Sequence, residues 1–231
     1  MTRKDISYFQ DLEDSVSIQK ITRDFEAVIQ TGDIISIHVT SLSQEASSFF
    51  NVVGENGDQQ VANTYLVDAG GNIEMPLIGT VKVRDLTTEQ AKDSIKSKLD
   101  KYLSNPTVNL RIRNFKVTVL GEVKTPGVYT IPNEKITLVE AIGLAGDLTI
   151  FGKRVNVLVI REKDGERKFY KVDLRSKEIF ESDIYYLHSN DIVYVEPGKG
   201  KIASADAWYR ILPIVFSGLT ALGLFLGRFT F

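Results

Sequence analysis

Short runs in which apolar and polar side chains alternate fill much of this chain, and each predicts a strand with one covered face. After a Gly32-Asp33 turn, Ile35, Ile37 and Val39 alternate with polar neighbours. Thr64–Val67 and Asn72–Leu77 flank Asp68-Ala69-Gly70-Gly71, which predicts a hairpin whose glycines supply positive φ. Pro76 ends its second strand, and Val81-Lys82-Val83 after Gly79 adds a further short one. Val108, Leu110 and Ile112 form a closing strand with Arg111 and Arg113 outward. Between these the period changes. Ala91, Ile95 and Leu99 recur at every fourth position, the apolar stripe of a helix ending near Tyr102. Thr87 to Gln90 has capping-box spacing at its start, and Asn105-Pro106 stops it.

The pattern then begins again. Val117 and Val119 lead into Leu120–Tyr129, where Pro126-Gly127 fits the central pair of a type II turn. Thr137 to Glu140 is a second capping box, opening a short helix that Gly146 ends. Val155, Val157 and Val159 alternate as a strand, Asp164-Gly165 turns the chain, Phe169–Leu174 returns it, and Asp191–Val195 is the last strand. The two units rhyme, each running strand, Pro-ended strand (Pro76, Pro132), capped helix, strand. This predicts an α+β fold of two small consecutive modules, residues 25–114 and 115–200. Helical crossovers between buried parallel strands are missing, which excludes a dinucleotide fold. Ser41–Asn63 is a polar excursion around Phe49-Phe50 that predicts a long loop. Residues 1–24 form an N-terminal arm, lying on another surface or partly disordered, with Tyr8-Phe9 as an isolated aromatic pair.

Residues 201–231 break the alternation. From Ile211 to Gly227 no side chain is charged, a length of about 17 residues or about 25 Å as a helix, the short end of a bilayer span. Trp208, Tyr209 and Arg210 at one edge and Arg228 and Phe229 at the other are interfacial anchors. Ser217, Thr220, Gly223 and Gly227 fall within an arc of roughly 120°, opposite Val215, Leu219, Leu222 and Leu226. Gly223 and Gly227 make a G-x-x-x-G pair, which lets helix backbones approach closely in lipid. Two readings are open on these residues: a plain single-pass anchor, or a helix built to pack against others. Pro213 falls in the first turn, where its missing donor costs little.

Composition narrows the function classes. Net charge is −2, without the basic footprint of a nucleic-acid binder. Cysteine is absent, which removes disulfides, thiolate metal sites and Cys nucleophiles. The two histidines, His38 and His188, read as a strand and a loop residue rather than a metal pair. Gly198-Lys199-Gly200-Lys201 lacks phosphate-loop spacing and reads as a flexible basic linker. Asp33 and Asp191, each at a strand entry, read as turn-formers. No catalytic, metal or cofactor constellation emerges, so the chain is not expected to be an enzyme. No apolar run follows Met1 as a secretory signal would, which leaves a cytoplasmic tail-anchored chain or a processed or trimmed one.

Several ordered motifs resemble a known family. Thr31-Gly32-Asp33-Ile34, Gly71–Gly79 with Pro76, Leu86–Ala91 and Asn105–Val108 resemble the export domain of outer-membrane polysaccharide translocons. Val119–Val123 with Gly121, Pro126-Gly127-Val128-Tyr129, Ala145-Gly146-Asp147 and Asn190–Val193 with Asp191 resemble the β-grasp (SLBB) module that follows it. The resemblance implies a homo-oligomeric periplasmic ring, lipid-anchored at its N-terminus, exporting capsular or exopolysaccharide. Its partners would be outer-membrane lipid and an inner-membrane polysaccharide co-polymerase or tyrosine kinase. It turns the small-residue arc of the tail into the packing or pore face of a helical barrel. Two features depart from the family. Family members begin with a lipid-modified cysteine after a signal peptide, and the resemblance implies that Met1 stands where processing or cloning removed them; the tail also has few polar residues for a wide hydrated lumen. The alternative is a membrane-anchored glycan-binding protein without a pore.

Overall fold

The computed structural model describes residues 6–11, 25–51, 63–163, 165–201, 211–218 and 220. In the first module, β1 (Ile34–Thr40) lies between β2 (Thr64–Leu66) and β5 (Thr107–Ile112), antiparallel to both. Ile35, Ile37 and Val39 point inward with Leu110 and Ile112 from β5, as alternation demands. The predicted long loop after β1 instead holds α1 (Gln44–Ser48), capped by Ser43, and buries Phe50 beside it. An aromatic side chain in a polar stretch is covered even where no periodicity advertises it.

The hairpin predicted through Asp68–Gly71 does not form. β3 (Asn72–Met75) pairs with β4 (Gly79–Lys82) instead of β2. Asp68 still makes a tight turn, its carboxylate accepting the Asn72 N–H at 2.8 Å. The Gly71 carbonyl, however, accepts from the N–H groups of Val83 and Arg84, both at 3.0 Å, which draws the end of β4 against it. A Cβ on Gly71, at φ +79, would sit 2.4 Å from the Arg84 side chain. α2 (Thr88–Leu99) then crosses the core, burying Ala91, Ile95 and Leu99, with the Thr87–Gln90 capping box closed at both bonds.

In the second module β6 (Lys116–Gly121), β7 (Gly127–Thr130), α3 (Leu138–Leu144), β8 (Val157–Lys163), β9 (Glu166–Val172) and β10 (Ile192–Val195) follow in order. The five-stranded sheet has the order β7-β6-β10-β8-β9, with β10 parallel to β6. The rhyme with the first module therefore extends to element order and capped helices but not to strand pairing. Pro126-Gly127 is not a type II turn. Gly127 lacks positive φ and begins β7 opposite Val119. The connection is held open from outside, Lys124 and Thr125 donating to the carbonyls of Asp147 and Ala145 after α3. α3 ends in a Schellman motif, with Gly146 N–H bonded to Gly143 and Asp147 N–H to Ile142.

The buried apolar residues of both modules form one continuous core, with Phe115 at their junction. Residues 6–11 lie on the second module. Gln10 N–H donates to the Arg175 carbonyl at 2.6 Å, the Phe9 ring packs 5.1 Å from Phe180, and the Asp11 carboxylate accepts from Ser176 and Lys177. Tyr8 hydrogen-bonds Asp147 and lies under Arg154, and burial raises its hydroxyl pKa. The 198–201 segment is not a free linker. Pro197 bridges Gly152, Gly198 N–H bonds the Phe151 carbonyl at 2.7 Å, and Lys201 reaches Glu122 at 3.4 Å.

Residues 211–218 are helical, and Ile211, Leu212, Ile214, Val215 and Phe216 are all exposed. Among the described residues no helix is long and apolar enough to cross a membrane. Trp208, Tyr209, Arg210, Gly223, Gly227, Arg228 and Phe229 lie outside the described residues.

Candidate functional site at the module seam

Two aspartates enter two strands in the same way. Asp33 accepts the Gln30 N–H at 2.8 Å just before β1, and Asp191 accepts the His188 N–H at 2.8 Å just before β10. Both carboxylates are buried. Each closes the turn that aims its strand into the core.

Their electrostatics differ. Asp191 is clasped by Arg161, whose Nε lies 3.0 and 3.1 Å from the two carboxylate oxygens and whose Nη2 lies 2.6 Å from one of them. The same Nη2 also donates to the Tyr186 carbonyl at 3.1 Å. Arg161 shares the inward parity of Val157 and Val159 on β8, a charged residue on a core face, so its burial obliges a partner. Among the described residues no cation clasps Asp33, and burial raises its carboxyl pKa. His188 is pushed down to about 4, first by burial and then by the Arg161 charge. It is neutral near pH 7 and packs against Phe25, which also stacks on Tyr186 at 5.1 Å.

Two further groups tie the modules, Glu134 and Phe25. At the end of the first module Asn114 accepts the Ile34 N–H at 2.8 Å and donates to the Gly32 carbonyl at 3.0 Å, which fixes the start of β1 from within that module. Glu134, at φ +57, accepts the Ile112 N–H at 2.6 Å across the seam. Burial raises the Glu134 pKa, opposed by that bond and by Arg111 and Lys92. Phe25 closes a narrow cavity of about 30 Å³, room for one water, lined also by Phe115, His188 and Ser189.

The motif residues shape backbone. Gly32 precedes the Asp33 turn, Pro76 and Gly79 bound the β3–β4 connection, and Pro126 precedes β7. Gly121 is the most constrained. At φ +91 its Cβ would lie 2.0 Å from the Val195 carbonyl oxygen, so β10 can pass only a residue without a side chain. Ser217 and Thr220 donate back to the tail helix, Ser217 to the Ile214 carbonyl at 2.9 Å and Thr220 to Phe216 at 3.0 Å, so their hydroxyls need no water. Among the described residues no group of three or more His, Asp or Glu side chains could hold a metal ion. Arg161, Asn114 and Glu134 escaped the sequence reading, although the inward parity of Arg161 was a usable signal.

The described residues thus form a two-module α+β body with a shared core and an exposed apolar helix at residues 211–218. Residues 22–113 match the family described as polysaccharide biosynthesis/export protein, and residues 115–195 match the SLBB domain. The chain is 30% identical over 181 residues to the EPS I polysaccharide export outer membrane protein EpsA of Ralstonia solanacearum, covering 73% of this chain and 47% of that one. It is 34% identical over 131 residues to the protein of the same name from Ralstonia nicotianae, covering 52% of this chain and 34% of that one. The chain thus spans half or less of the length of these curated relatives. It belongs to the polysaccharide biosynthesis/export family.

Proposed function

We propose that this chain is an outer-membrane polysaccharide export component. Several copies stand as a periplasmic ring, and their C-terminal helices line a shared passage through the bilayer for capsular or exopolysaccharide. The observation that carries this is the ordered pair of modules joined to an apolar, solvent-exposed tail helix. Hydroxyls satisfied within that helix suit a lipid surrounding, where no water is available to pair with them. Trp208, Tyr209, Arg210, Arg228 and Phe229 mark the two interfaces, and Ser217, Thr220, Gly223 and Gly227 form the helix-packing or pore face. The chain does no bond-making. Polymer moves along the ring axis, driven by synthesis and by an inner-membrane co-polymerase or kinase, with the ring lipid-anchored near its N-terminus.

The test is passage of fluorescent exopolysaccharide out of vesicles carrying the reconstituted chain. Transport is expected from the intact protein and lost on removing residues 211–231 while the modules stay folded. Retention of all polymer by vesicles carrying correctly assembled protein would contradict a conduit and favour a membrane-anchored glycan receptor.

A further inference from the structure

The two sheets treat their outward faces differently. The outward face of the first is mostly polar, with His38, Asn109 and Arg111, and carries one apolar pair, Ile34 and Leu66. The second differs. Thr118 on β6 pairs with Val128 on β7 and Ile192 on β10, Ile192 with Ile160 on β8, and Ile160 with Phe169 on β9. That is one side-chain row across all five strands, apolar except for Thr118. The next row holds Leu120, Tyr194 and Leu158. The opposite parity, including Val117, Val159 and Val193, fills the core against α3. Val157–Ile160 and Ile192–Val195 are thus continuous apolar runs, the composition of strands covered on both faces. Among the described residues only the inner face is covered, and Val128 and Phe169 remain 62% and 61% exposed.

Five strands about 4.8 Å apart and two rows about 7 Å apart give an apolar area of roughly 300 Å². That is the core of a standard interface of about 800 Å² per partner, with the polar rim supplying the rest. The rim is mainly basic, with Lys116, Arg167 and Lys171 against Glu162. The far side of the same module offers the complement. α3 buries Leu138, Ala141 and Ile142 against the sheet and leaves Leu144 52% exposed, and Ile150, six residues further along the chain, is 64% exposed. The exposed charges around α3 and the 177–183 segment are acidic by one, with Glu140, Glu178, Glu181 and Asp183 against Lys124, Lys135 and Lys177.

We propose that the outer face of this sheet seats the α3 side of a second copy, so that successive copies pack front to back. The two surfaces lie on opposite sides of one two-layer slab and carry opposite net charge. Such a contact is heterologous and propagates until rotation closes it into a ring. The inference rests on the assembly reading above and names the surface that carries it.

A chain without cysteine allows a direct test. Thr118→Cys lies in the apolar row, and Gly143→Cys lies on the exposed side of α3, where a Cβ meets nothing within 4 Å. The full chain in mild detergent is treated with a short bis-maleimide. The double variant is expected to give a ladder of linked copies, an equimolar mixture of the single variants only dimers, and each single variant alone none. Val128→Arg is expected to lower the assembled fraction more than tenfold without shifting the unfolding midpoint. Cross-linking of Thr118→Cys alone would mean that two sheets face each other and would overturn the proposal. Assembled protein without cross-links in the double variant would overturn it too, leaving the export reading intact. Monomers throughout would remove both.

Discussion

At the scale of single residues, the decisive interactions are few and buried. Arg161→Met strands the Asp191 carboxylate in the core and is expected to cost about 3–5 kcal/mol, read as a lowered urea midpoint. Arg161→Met with Asp191→Leu is expected to recover most of that loss, because the penalty comes from the stranded charge. Full additivity of the two single losses would show that the pair is not coupled. His188 gives the seam a pH signature. Its folded pKa, about 4, lies below the ordinary value of 6.5, so the unfolded chain takes up the proton first. The stability it contributes is complete above pH 6.5 and is lost as pH falls towards 4. Asp33 and Glu134, raised by burial, act with the opposite sign, favouring the fold at acid pH and losing that contribution as pH rises through their folded pKa values. A thermal-midpoint series on His188→Gln against the parent isolates the histidine: the variant should fall less between pH 6.5 and 4. Identical slopes would place His188 in water. Gly121→Ala should cost more than about 2 kcal/mol, since β10 must move to admit a methyl group at positive φ.

At the scale of elements, what was legible was local. Both capping boxes and the Ala91, Ile95, Leu99 stripe depend on residues three or four apart, and the structure holds them as read. Thr87→Ala should lower stability by about 1 kcal/mol in urea denaturation, while Gln90→Ala should cost less because the hydroxyl bond persists. Pairing over distance was not legible. Asp68–Gly71 looks like a hairpin turn, but β3 pairs over its whole length with β4, and the Gly71 carbonyl accepts from Val83 and Arg84 just beyond it. Pro126-Gly127 failed similarly: loop bonds from the far end of α3 replaced the local turn. Lys199 and Lys201 looked like linker because Pro197, which docks on Gly152, is paired through a residue 45 positions earlier. The seam was least legible, since Asp191 and Arg161 stand 30 residues apart and Glu134 reaches Ile112 across 22.

At the scale of the whole molecule, a clamped body and an apolar tail divide the work. Phe115 in the shared core and the Glu134–Ile112 bond join the two modules. The tail is too narrow to conduct alone, because a single helix encloses nothing. On the proposed function, conduction requires copies held at fixed angles, and the apolar outer face of the second sheet is the surface proposed to hold them. The central claim is therefore one of number. The most direct measurement is the mass of the intact chain in mild detergent by native mass spectrometry. The expected result is one closed species of several copies, broken down by Val128→Arg. A single-copy mass at every protein concentration would contradict the account.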